Sequence, residues 1–89
     1  MAEKTLSLNA SGAVSATPGY YTGYVVTTGL SAAAVTIYDN ASTNSGTILD
    51  VIPASSAAGA KGSFAKPIRA KNGLYASFGG TGTVTFLYD

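Results

Sequence analysis

The 89-residue sequence contains no cysteine and no histidine. Without thiols there are no disulfides and no thiolate metal sites, and the redox compartment cannot be read. Without imidazole, Ser-His-Asp and Cys-His arrangements, imidazole-held metals and the usual neutral-pH proton shuttle are excluded. Charge is scarce as well. Asp, Glu, Lys and Arg make up 10% of the chain and the net charge is +1, against about 25% charged residues in an ordinary soluble domain. Long hydrophobic runs are missing: no stretch approaches the ~18 apolar residues of a membrane helix, and the Met-Ala-Glu-Lys start is followed by no apolar signal-peptide core. The chain therefore reads as a soluble protein made in the cytoplasm, with no membrane partner.

The same scarcity limits the candidate chemistry. The side-chain carboxylates are Glu3, Asp39, Asp50 and Asp89; Glu3 and Asp89 lie near the termini, which leaves Asp39 and Asp50 as the one pair for acid/base work on a glycoside. So short a chain scarcely forms the cleft that such work needs. Asp39 with Asn40 and Asn44 lacks the carboxylate density of a calcium loop, and Asp-Asn turn chemistry accounts for these residues. Gly79, Gly80 and Gly82 match no phosphate-binding loop and precede no helix. Asn9-Ala10-Ser11 and Asn40-Ala41-Ser42 fit the glycosylation pattern by accident. No catalytic residue, metal or cofactor is expected.

What is abundant is Gly, Ser, Thr and Ala, with Val, Ile, Thr, Tyr and Phe in short runs between turn clusters. No window has a 3.6-residue apolar repeat, and Ala54–Ala60 has room for one helical turn at most. Tyr20–Thr28 carries apolar residues on both faces and fits the middle of a sheet. Ala34–Tyr38 alternates, with Val35 and Ile37 on one face and Thr36 and Tyr38 on the other. Thr47–Ile52 is stopped by Pro53, and Phe64–Ala70, containing Lys66 and Pro67, reads as a bulged or broken edge strand. Asn72-Gly73 predicts a type I′ hairpin into Leu74–Phe78. Gly79-Gly80 then allows a second reversal into Thr83–Tyr88, giving a C-terminal meander.

Leu6 and Leu8 flanking Ser7 allow a first strand, but residues 1–8 are read here as an N-terminal arm. Residues 9–89 are then a single all-β domain, a compact antiparallel β-sandwich or jelly-roll-like barrel of seven or eight short strands. At this length only about two-thirds of the unfolded surface is buried, so assembly with other subunits is an expectation from size alone.

Six tyrosines exceed what so small a core can bury with satisfied hydroxyls. Outward tyrosines anchor protein contacts, and as stacking platforms Tyr20, Tyr21 and Tyr24 would suit a carbohydrate-binding module. Lys61, Lys66, Arg69 and Lys71 hold four of the five basic residues in one short span. A lysine-protected strand edge explains them better than a nucleic-acid groove does.

Val35-Thr36-Ile37-Tyr38-Asp39-Asn40-Ala41-Ser42 followed by Ser45-Gly46-Thr47-Ile48, and Lys71-Asn72-Gly73-Leu74-Tyr75-Ala76 followed by Gly80-Thr81-Gly82-Thr83-Val84-Thr85 and Tyr88, resemble stretches of small virion proteins of tailed bacteriophages. The resemblance implies a β-sandwich component of the phage particle: a head decoration or cement protein, or a small neck, tail or fibre piece. On that reading the partners are the major capsid protein or other virion proteins. The place is the capsid surface, and a symmetric homo-oligomer such as a trimer suits it. Tyr20, Tyr21, Tyr24, Asn40, Asn44, Lys61, Lys66 and Arg69 are the candidate interface residues, with the arm and the loops Asn40–Gly46 and Ala54–Gly62 as contacts.

Overall fold

The computed structural model describes residues 4–89. The strand-forming runs become eight strands: β1 (Lys4–Leu8), β2 (Gly12–Ser15), β3 (Gly19–Thr28), β4 (Val35–Tyr38), β5 (Ile48–Ile52), β6 (Lys61–Ala70), β7 (Leu74–Phe78) and β8 (Thr83–Tyr88). No helix occurs among the described residues, and Ala54–Ala60 forms turns only.

β1 pairs with β8, β2 with β7, β3 with β6 and β4 with β5, all antiparallel. Partners nested in this way describe one long hairpin whose apex is the loop between β4 and β5. Two further pairings, β3 with β8 and β4 with β7, roll that hairpin up. The result is two four-stranded sheets, ordered β1-β8-β3-β6 and β2-β7-β4-β5. This is the jelly-roll form of the β-sandwich, and it agrees with the fold class read from the sequence.

The core fills the space between the sheets. From the first come Tyr21, Val26, Ala70, Val84 and Phe86, and from the second Val14, Val35, Ile37, Ile52, Leu74 and Ala76, all buried. Edge-to-face aromatic pairs, Tyr21 with Phe64 and Phe78 with Phe86, have ring centroids 5.3 and 6.4 Å apart.

β3 lies between β8 and β6, as its two-sided apolar pattern predicted. That pattern has a particular origin. Tyr21 opposes Tyr88 and Gly23 opposes Leu87, so Thr22 is one residue too many for the ladder. A bulge of this kind switches the alternation: Tyr21 faces inward before it, and Tyr24 and Val26 pack on the core after it. Thr22 itself is buried, and its Oγ1 has no hydrogen-bond partner.

β6 is an edge strand and is interrupted as expected. Between the pairs Tyr21–Ile68 and Gly23–Ser63 it spends Phe64, Ala65, Lys66 and Pro67 opposite Thr22 alone. Pro67, which cannot donate to a ladder, sits where no ladder bond is required.

Three sequence expectations are corrected. Asn72-Gly73 does not close a hairpin, because β6 and β7 belong to different sheets. Only Gly73 has a positive φ, 147°, whereas a type I′ turn needs one at both central residues. The glycine is required for close passage instead: a Cβ there would lie 2.7 Å from the Ser15 carbonyl oxygen and 3.0 Å from the Ala41 Cα. Gly79–Gly82 likewise carries the chain from β7 across to β8, so the C-terminal third is two crossovers rather than a meander. The reason is burial: Ala70 and Leu74 both enter the inter-sheet core, from opposite sheets. As for the arm, Lys4–Leu8 is strand β1, in unbroken register with β8, and Leu6 and Leu8 pack on the core. Met1–Glu3 lie outside the described residues.

Two stability measurements follow. In urea unfolding, Gly73→Ala should cost about 1–3 kcal/mol while Asn72→Ala stays within about 0.5 kcal/mol, since a hairpin would make both costly. Thr22→Val, which removes the orphaned hydroxyl at nearly constant shape, should stabilise by about 1 kcal/mol.

Candidate interaction surfaces

Tyr21, Asp50 and Asp39 commit their polar groups to the fold. The Tyr21 hydroxyl donates to Asp50 Oδ2 at 2.9 Å, tying β3 of one sheet to β5 of the other, and Asp50 Oδ1 accepts from the Val51 amide at 2.8 Å. Burial is the main cause of a strong upward shift of the Tyr21 phenol, reinforced by the charge of Asp50, by the hydrogen bond to it and by Tyr24. Asp39, buried at the end of β4, accepts the Asn72 amide on Oδ1 at 2.8 Å and so pins the β6–β7 crossover. The one carboxylate pair considered for acid/base work therefore holds two structural positions.

Asn40 organises the apex of the rolled hairpin. Its Oδ1 accepts the amides of Ser42 and Thr43 at 3.0 and 3.1 Å, and its Nδ2 donates to the Ser45 carbonyl at 3.2 Å. The predicted turn chemistry is what the loop uses. Asn40 thus works inside the loop, while Asn44 is exposed at its tip. The loop after Pro53 is held against Val26–Ser31 by four backbone bonds: Val26 N to Ala60 O, Gly59 N to Val26 O, Leu30 N to Ser56 O and Ser55 N to Ser31 O. It presents small Ala and Ser side chains.

The candidate tyrosines divide. Tyr21 is fully buried and cannot be an interface residue, a correction that follows from the bulge at Thr22. Tyr24 is half-buried, its ring lying over Gly62, where a Cβ would come within 2.7 Å of it. Tyr20 is exposed and pairs across the ladder with Arg69, whose guanidinium stands 5.1 Å from the ring centroid. The three tyrosines do not form one stacking platform. Lys61, Lys66 and Arg69 are all exposed on β6, and Lys71 is exposed just beyond it. The outer edge of the first sheet is thus a positively charged strip with one aromatic ring.

The second sheet offers a surface that the sequence reading did not single out. Alternation turns Tyr38 and Tyr75 outward, since Ile37, Leu74 and Ala76 are buried. Register then sets Ala13, Tyr75, Tyr38 and Ile48 in a row across β2, β7, β4 and β5. Ser77, Thr36 and Val51 form the next row. Ile48 and Val51 are 54% and 49% exposed. The outward direction of Tyr38 was legible in Val35–Tyr38, but its neighbours become visible only with the strand order.

Among the described residues no group of three or more His, Cys, Asp or Glu side chains could hold a metal ion, and no helix is long and apolar enough to cross a membrane. No family model, no curated protein and no solved structure gave a significant match to the chain.

The Tyr21–Asp50 bond has a pH signature. With the phenol pushed above its ordinary value near 10, the unfolded chain loses that proton first. The contribution is therefore full below pH 10 and declines as pH rises beyond it. Tyr21→Phe should make the fall in stability above pH 10 shallower by up to about 1.4 kcal/mol per pH unit, read from urea midpoints in an alkaline series.

Proposed function

We propose that this protein is a non-enzymatic structural component of a tailed-bacteriophage particle, a decoration or cement protein that binds the major capsid lattice. One observation carries the reading. The two stretches that resemble phage virion proteins, far apart in sequence, form one structural unit: β4 pairs with β7, setting Tyr38 beside Tyr75, and Asp39 holds the Asn72 amide. A resemblance confined to unrelated turns would not be expected to converge in this way.

The disposition of chemical groups supports the same conclusion. Tyr21, Asp39 and Asp50 serve the fold, while Tyr20, Lys61, Lys66 and Arg69 are displayed on open sheet surface, suited to contact rather than to enclosing a substrate. Jelly rolls serve viral capsids, lectins and enzymes alike, so the architecture adds compatibility and not assignment. The mechanism is mass action. A protein that binds the assembled lattice and not its dissociated subunits shifts the equilibrium toward the intact shell. The basic strip of β6, opposite an acidic patch of the lattice, is the contact we assign to it.

Imaging of purified particles tests this directly. Density of this size should stand on the capsid, and particles depleted of the protein should lose their contents at lower temperature and recover on its addition. Density confined to the neck or tail would move the protein there, and its absence from particles would end the reading. Replacing Lys61, Lys66 and Arg69 together by Glu should lower retention on depleted capsids at least tenfold, with the wild-type interaction weakening as salt rises from about 50 to 500 mM. Unchanged retention would exclude β6 as the contact.

A further inference from the structure

We infer that the outer face of the β2-β7-β4-β5 sheet is a self-association surface, on which a second copy of this chain packs face to face about a two-fold axis. The inference is independent of the capsid reading.

Its first support is the distribution of charge. Strands β2, β4, β5 and β7 contain a single charged residue, Asp50, and that side chain turns inward to the Tyr21 hydroxyl. In the other sheet β3 and β8 are uncharged too, but β1 carries Lys4 and β6 carries Lys61, Lys66 and Arg69 along its two edges. A two-fold contact brings each patch against itself, so any uncompensated charge on it meets its like. The β6 edge is unsuited to such a contact. The second sheet's outer face is free of that penalty on all four of its strands, whereas the first sheet's is charged along β6.

The second support is what the face displays. Two of the three large hydrophobic residues that are strongly exposed, Ile48 and Val51, lie on β5 at one side of it. Tyr38 and Tyr75 stand side by side at its middle, ringed by Thr36, Ser77 and Ala13. Adjacent tyrosines in an apolar setting with a hydroxyl rim have the composition of an interface centre, where aromatic residues are enriched and charges depleted.

Dimensions set the strength. The molecule measures 29 × 25 × 17 Å, and its shortest axis accommodates two sheets stacked about 10 Å apart. A broad face is then at most roughly 700 Å², just under the ~800 Å² per partner of a standard interface. A second copy covering most of the face fits the weak end of the affinities such areas support, a dissociation constant of about 1 μM or above. An edge-to-edge pairing through β5 fits less well, because the bulge at Leu49 and the inward Asp50 disrupt that edge.

Sedimentation equilibrium of the purified protein from about 1 to 500 μM is the test. A monomer–dimer equilibrium is expected, abolished by Ile48→Glu with Val51→Glu, which sets like charges across the axis, and retained by Lys61→Glu. Ile48→Thr with Val51→Thr, which keeps the β-branched shape, should raise the dissociation constant about tenfold at unchanged circular dichroism. A wild-type monomer throughout the range would overturn the inference, as would a trimer or a dimer indifferent to both double variants. A monomeric double-Glu variant that still binds capsids would uphold the dimer face and leave the capsid reading standing. Failure of capsid binding by a dimeric wild type would remove the capsid reading alone.

Discussion

The bulge at Thr22 sets which side of β3 faces the core, and the division of Tyr20, Tyr21 and Tyr24 between surface and interior follows from that. β3 is the one strand that contacts both β6 and β8, so its alternation is imposed on three strands of its sheet. With the extra residue in place, Tyr21 points inward to meet Asp50, while Tyr20 stays outside under Arg69. Beyond it, Tyr24 and Val26 continue the inward row. Were the ladder regular, the inward set fixed by Tyr21 would continue through Gly23, Val25 and Thr27, replacing a tyrosine and a valine with a glycine, a valine and a threonine. The buried, unpaired hydroxyl of Thr22 is the local cost of the switch.

From that arrangement the sandwich acquires two unlike exteriors. The edge strand β6 gathers the basic side chains, protected from strand addition by the same lysines and proline that interrupt it. The opposite sheet carries tyrosines, β-branched residues and hydroxyls, with its one carboxylate turned inside. A chain of this size gains limited stability from its own core, and under the two proposals it would gain more from a neighbour on each surface. A weak self-contact on one side and a salt-sensitive contact on the other would reinforce each other on a repeating lattice, where the second contact becomes effectively intramolecular.

Much of the fold was legible from particular residues. Val35 and Ile37 against Thr36 and Tyr38 identified a half-buried strand, Lys66 and Pro67 marked an edge, and Asp39-Asn40 announced the turn that Asn40 in fact organises. Connectivity was less legible, because turn residues report that the chain reverses or crosses and not which sheet it enters. Asn72-Gly73 has the composition of a tight hairpin, yet the burial of Ala70 and Leu74 from opposite sheets makes the segment a crossover. The parity change at Thr22 left no sign in composition, which is why Tyr21 was read as a surface residue. Of the candidate contact residues, Tyr20, Lys61, Lys66 and Arg69 share one edge strand and its neighbour, while Asn40 and Asn44 lie in the apex loop. The Tyr38–Tyr75 row depends on pairing between segments 37 residues apart, information that local alternation does not hold.

The rolled hairpin and its register are what place every one of these surfaces. Nuclear Overhauser contacts between backbone protons of facing strands measure that register without reference to function. Cross-strand contacts of Tyr24 with Phe86, Tyr38 with Tyr75 and Leu6 with Phe86 are expected, and none between β6 and β7. A ladder joining Phe64–Ala70 to Leu74–Phe78 through Asn72-Gly73 would contradict that register.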